Sequence, residues 1–149
     1  MINLEFYNET SSEYTGEFFE ELLEVINTDF KQIIPTQLDK RKNFTISFML
    51  VKDDIIQKLN KDYRGEDKPT DVISLSYLNE IFPGNDILGE IFISLDTAKK
   101  QAKEMNHDLL IELRLLFVHG VLHILGYEHS TEEDFQVMMD LTNQILGIK

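Results

Sequence analysis

"LLIELRLLFVHGVLHILGYEHS", residues 109 to 130, is the stretch on which the fold turns. Residues 109 to 125 are apolar around nearly the whole circumference of a helix, which puts that helix in the middle of a fold and not on its surface. The same helix carries His119 and His123, four residues apart and therefore on one face. Burying two imidazoles without partners costs about 1–3 kcal/mol each, so partners are needed. Gly126 follows His123 by three residues and lets the chain reverse in the left-handed conformation that glycine tolerates, which can swing His129 back toward the pair. Three imidazoles with a fourth position left to water is the catalytic form of a zinc site, whereas structural sites are closed.

The spacing resembles that of the metzincin peptidases, His-Glu-x-x-His-x-x-Gly-x-x-His, and gives a zincin-like metal-binding helix. Gly120 stands where those enzymes carry the glutamate that takes a proton from zinc-bound water. Peptide hydrolysis by that route lacks its base. A metal alone lowers the pKa of bound water to about 7, so metal-assisted hydrolysis stays open for a substrate that needs charge stabilisation more than a base. Phosphodiester cleavage is such a reaction, because negative charge spreads over the nonbridging oxygens.

On either side of this helix the chain alternates strands and helices. Residues 2–7 and 43–51 read as strands by alternation and by β-branched and aromatic content, and so do 72–77 and 87–94. Helical spacing predicts one amphipathic helix over 16–34 and a short one over 53–63 with Asp53 as N-cap. Ser94 is placed to cap a helix through Asn106, and Ser130 with Glu133 forms a capping box for a last helix to Leu146. Helical crossovers return the chain in the same direction, whereas the short loop over 78–86 lets the last two strands run antiparallel. The expected architecture is α+β, a mixed four-stranded sheet with the helices after residue 94 on one side, built as one domain over 1–149.

Composition narrows the chemistry. The 149 residues contain no cysteine, so disulfides, thiolate catalysis and Cys-ligated metal sites are excluded, and a metal must be held by imidazole or carboxylate. No basic segment followed by an apolar run opens the sequence, and no apolar run approaches the length of a membrane span, which makes a cytoplasmic protein without membrane attachment the expectation. The net charge of −13 weighs against nucleic-acid binding by bulk electrostatics and suits a basic protein partner. Basic residues among turn formers do occur in "DYRGEDKPTD", residues 62 to 71, where Arg64 is a candidate guanidinium for a phosphate. The competing reading pairs Arg64 with Glu66 or Asp67 in a solvated turn. His107, at a helix junction, is read as lying outside the site.

Three segments together, "HGVLHILGYEH", "LNKDYRGEDKPTDVIS" and "DILGEIFIS", resemble the YbeY family of bacterial endoribonucleases in order and spacing, from about residue 44 to the end of the last helix. The resemblance implies an endoribonuclease with one zinc ion, another divalent transition metal being an alternative. It acts on single-stranded RNA in late 3′-end maturation of 16S-type small-subunit rRNA and in ribosome quality control. The implied partners are rRNA, the small ribosomal subunit and its assembly proteins. Carried over by position, His119, His123 and His129 are the metal ligands, and Arg64 is the residue of catalysis or phosphate contact. Glu128, Leu75 and Glu90 depart from the aspartate, phenylalanine and aspartate usual at those places, and none of them removes a ligand. Two other classes fit part of the pattern: a zincin-like metallopeptidase with Glu128 as displaced base, and a noncatalytic ribosome-assembly factor with a structural metal. The native metal, the attacking group (water or the RNA 2′-hydroxyl), the choice of cleavage site and the oligomeric state have no signature in the sequence.

Overall fold

The computed structural model describes residues 1–147, so Ile148 and Lys149 of the expected single domain lie outside the described residues. In chain order the elements are β1 (Ile2–Asn8), α1 (Glu17–Asp29), β2 (Phe44–Val51), α2 (Asp53–Arg64), β3 (Val72–Ser76), β4 (Ile87–Ser94), α3 (Leu95–Glu104), α4 (Leu109–Ile124) and α5 (Glu132–Leu146). The strands form one sheet in the order β1-β2-β4-β3. β1 with β2 and β2 with β4 are parallel, and β3 is antiparallel to β4, as the lengths of the connections allow. The fold is α+β with a mixed four-stranded sheet.

Period-two alternation in "FTISFMLV" points Phe44, Ile46, Phe48 and Leu50 to one face, and all four are buried. α1 and α4 cover that face. Phe19 of α1, Phe48 of β2 and Phe117 of α4 meet there with ring centroids 4.9 to 5.4 Å apart, a three-ring contact that joins both helices to the sheet. On the opposite face α2 buries Ile56 against Val51 and Ile73. α5 closes over α4 through Met138 and Ile145, so α4 is enclosed on most of its circumference, as its composition demands. Among the described residues no helix is long and apolar enough to cross a membrane.

Several boundaries differ from the sequence reading. α1 stops at Asp29 and a separate 3-10 turn spans Lys31–Ile33. Ile34 precedes Pro35 and is extended at φ −77° and ψ 123°, because the proline ring clashes with a helical predecessor. Asp53 is not the N-cap of α2. Lys52 holds that position, and the Asp53 carboxylate instead accepts hydrogen bonds from the hydroxyls of Ser94 (2.6 Å) and Thr97 (2.7 Å). Ser94 caps α3 as expected, accepting from the Thr97 N–H, but α3 ends at Glu104, short of Asn106. The cap of α5 is Thr131, which accepts from the Asp134 N–H one step along from the expected Ser130 box. β3 ends at Ser76, one residue before Tyr77.

Candidate metal centre and its cleft

α4 and the outer flank of β3 wall a cleft of about 1050 Å³. His119 and His123 enter it from adjacent turns of α4, their ring centroids 5.3 Å apart. Gly126 then takes a positive φ of 105°, which turns the chain back after α4. The reversal brings the His129 ring to 5.9 Å from His119 and 4.9 Å from His123. One ring nitrogen from each histidine falls in a group whose members all lie within 4.8 Å of one another, so one ion bound at about 2.0–2.1 Å per nitrogen could be held by all three.

The electrostatics prepare these rings for a cation. Burial pushes the His119 pKa down, with the charges of His123 and His129 adding to the effect and Asp71 opposing it. His123 is also lowered, by burial first and then by His129; a backbone hydrogen bond at Tyr127 opposes, Arg64 lowers it further, and Glu128 opposes. Both rings are held toward the neutral form, the form that ligates metal. The Nδ1 atom of His119 is buried and has no hydrogen-bond partner among the described residues. His129 is exposed, so the cluster opens to the cleft and is not sealed in the core. The donor set fits a divalent transition metal with imidazole preference.

Gly120 has a structural reason to lack a side chain. A Cβ there would stand 3.1 Å from Cδ1 and 3.2 Å from Cγ1 of Ile91 on β4, so position 120 faces the sheet. A glutamate at this place would be driven into the core. Helix-to-sheet packing therefore occupies the position that a peptidase gives to its base.

Arg64, the last residue of α2, lines the same cleft. Its Nη2 donates to the Val72 carbonyl at 3.4 Å, and Gly65 after it turns at φ 71°. Pairing with Glu66 or Asp67 is not found among the described residues; Asp67 accepts instead from Gln57 Nε2 at 3.0 Å. Among the described residues the guanidinium has no carboxylate partner. Glu128 lies on the rim, exposed.

Other residues of the cleft escaped the sequence reading. His107 lines it after all, its Nε2 3.5 Å from Glu112 Oε1. Burial raises the Glu112 pKa against the lowering effect of His107. Asp71 and Ser74 come from the β3 side. Glu112 was legible in principle, because it precedes His119 by seven residues and so shares its helix face. Asp71 and Ser74 reach the cleft through a long-range contact that no local pattern announces.

The sequence profile of the family described as Endoribonuclease YbeY matches residues 5–148. The endoribonuclease YbeY of Sulfurihydrogenibium sp. is 39% identical over 146 residues, covering 97% of this chain and 88% of the relative. That of Acholeplasma laidlawii is 40% identical over 146 residues, covering 98% and 96%. Among solved structures, the solution structure of TM1509 from Thermotoga maritima aligns with a TM-score of 0.61 at 26% identity, covering 99% of this chain and 90% of that one.

Proposed function

The chain belongs to the endoribonuclease YbeY family, and we propose that it cleaves single-stranded RNA at a centre where His119, His123 and His129 hold one zinc ion and Arg64 holds the phosphate. The observation that carries the reading is the convergence of three imidazoles and one guanidinium on a single open cleft. When bound, a divalent ion supplies positive charge and Lewis acidity at a phosphate oxygen.

The chain's own residues do the rest. Burial keeps His119 and His123 neutral and so able to ligate near pH 7. Arg64, fixed at the end of α2 and tied to the Val72 carbonyl, offers its remaining N–H donors to the nonbridging oxygens as charge builds on them. Glu128 is an exposed carboxylate of the rim and can take a proton from the attacking group or give one to the leaving oxygen. The proposed activity belongs in the cytoplasm with the small ribosomal subunit and its assembly proteins, in late 3′-end maturation of 16S-type rRNA and in ribosome quality control. The whole chain, 1–149, acts as one domain.

The test combines metal analysis with a cleavage assay on single-stranded RNA. His119→Ala and Arg64→Ala each abolish cleavage, and only the histidine change lowers metal content. Wild-type cutting rates in both variants would overturn the proposal, and chelator-sensitive degradation of an unstructured protein would replace it with a peptidase.

A further inference from the structure

The wall of the cleft opposite α4 is a sheet edge. Among the described residues β3 pairs only with β4, so alternate residues of β3 turn their N–H and C=O groups away from the sheet. Ser94 N–H bonds Asp71 O and Tyr77 N–H bonds Leu88 O, which fixes Asp71, Ile73, Leu75 and Tyr77 as the residues whose backbone faces β4. Val72, Ser74 and Ser76 therefore face outward, and these three line the cleft.

Two of the three are already engaged. Val72 N–H donates to Asp71 Oδ1 and Val72 C=O accepts from Arg64, while the Ser76 hydroxyl donates to Ile124 O at 2.8 Å. Ser74 differs: among the described residues its hydroxyl has no partner, and its backbone groups lie on the open edge. Its position is also set. Ser74 stands opposite Ile91, the side chain that packs on Gly120, so Ser74 borders α4 beside His119.

The charges nearby decide what Ser74 can meet. Phosphate belongs with the imidazole cluster and Arg64, and the carboxylates of Asp71 and Glu112, which line the same cleft, disfavour a second phosphate. A neutral group that both donates and accepts hydrogen bonds suits Ser74, whose N–H donates, whose C=O accepts and whose hydroxyl does either. We infer that Ser74 binds a ribose 2′-hydroxyl of the nucleotide next to the cleaved phosphodiester and makes the protein prefer RNA to DNA. This inference rests on the RNA-cleaving reading above and adds a specificity residue to it.

The experiment measures binding of fluorescent single strands to the metal-loaded full-length protein: an all-DNA strand, and strands of the same sequence with one ribose walked through each position. One position next to the cleavage site is expected to bind about 5–10-fold tighter than all-DNA, the gain from one hydroxyl hydrogen bond. Ser74→Ala removes that gain and leaves all-DNA binding unchanged. A walk with no favoured position overturns the inference, as does a Ser74→Ala loss equal for RNA and DNA, which would mark a phosphate contact, or displacement of both strands by an extended peptide. The walk on the unaltered protein stands even where the variant fails to fold. RNA cleavage measured alongside separates the two claims: cutting without a favoured ribose sinks only the role of Ser74, and absence of both cutting and RNA binding sinks the function itself.

Discussion

The buried side chain of Asn60 donates from Nδ2 to the Lys68 carbonyl at 2.9 Å and so fixes the turn that follows Arg64 to the helix that ends with it. The Asn60 backbone carbonyl also accepts from Glu66 N–H at 3.3 Å. Arg64 is exposed, and its aim depends on this buried clamp. Asn60→Ala is expected to cost about 1–3 kcal/mol of stability and to lower RNA cleavage at least tenfold, with metal content unchanged. Urea unfolding, metal analysis and cleavage rates on the same preparation check all three.

Restoring a glutamate at position 120 tests whether the missing base is a packing decision. Gly120→Glu forces a side chain against Ile91 in the core, and the expected outcome is a loss of about 3 kcal/mol or more with no peptidase activity. A stable variant that degrades casein would show that position 120 faces the metal.

Metal-free protein should be acid-sensitive in a defined direction. His119 and His123 have pKa values lowered in the fold, so the unfolded chain binds more protons than the folded one between the lowered values and the ordinary value near 6.5. Their contribution to stability is then complete above about pH 6.5 and falls as the pH drops through the lowered values. Thermal melting of the chelated protein from pH 8 to pH 5 is expected to show this decline, with a shallower slope in His119→Gln. Metal retention should fail over the same range, because protonated imidazole cannot ligate.

The Asp53 carboxylate joins α2 to the start of α3 through two hydroxyls. Asp53→Ala leaves Ser94 and Thr97 without their acceptor and is expected to cost about 2–3 kcal/mol. An ordinary N-cap or first-turn carboxylate would cost about 1 kcal/mol or less, so denaturant titration of this one variant separates the two roles.

What the sequence disclosed follows the range of the interaction that set each feature. The imidazole cluster depends on one helical turn and one glycine reversal, both local, and the spacing of His119, His123, Gly126 and His129 shows it directly. Strand directions were equally plain, because connection length constrains them. The cap of α5 went astray by one residue since Ser130 and Thr131 both carry hydroxyls and an acid three places on, and only backbone geometry separates them. Asp53 departs from the expected N-cap for a different reason: the hydroxyls that claim it lie about forty residues away, at the cap and first turn of α3. Asp71 and Ser74 joined the cleft through the placement of β3 beside α4, a tertiary contact with no period to betray it, whereas His107 reaches it from the α3–α4 junction, beside Glu112.

The order of the elements along the chain also sets when the centre can assemble during synthesis. His119 and His123 are carried by α4, but His129 sits in the short connection whose far end is held by α5, and α5 docks through Met138 and Ile145. A growing polypeptide that has emerged only as far as α4 presents two imidazoles of the cluster, His119 and His123, and no anchored third. The three-imidazole cluster is therefore complete only once the closing helix has been threaded out and seated on α4.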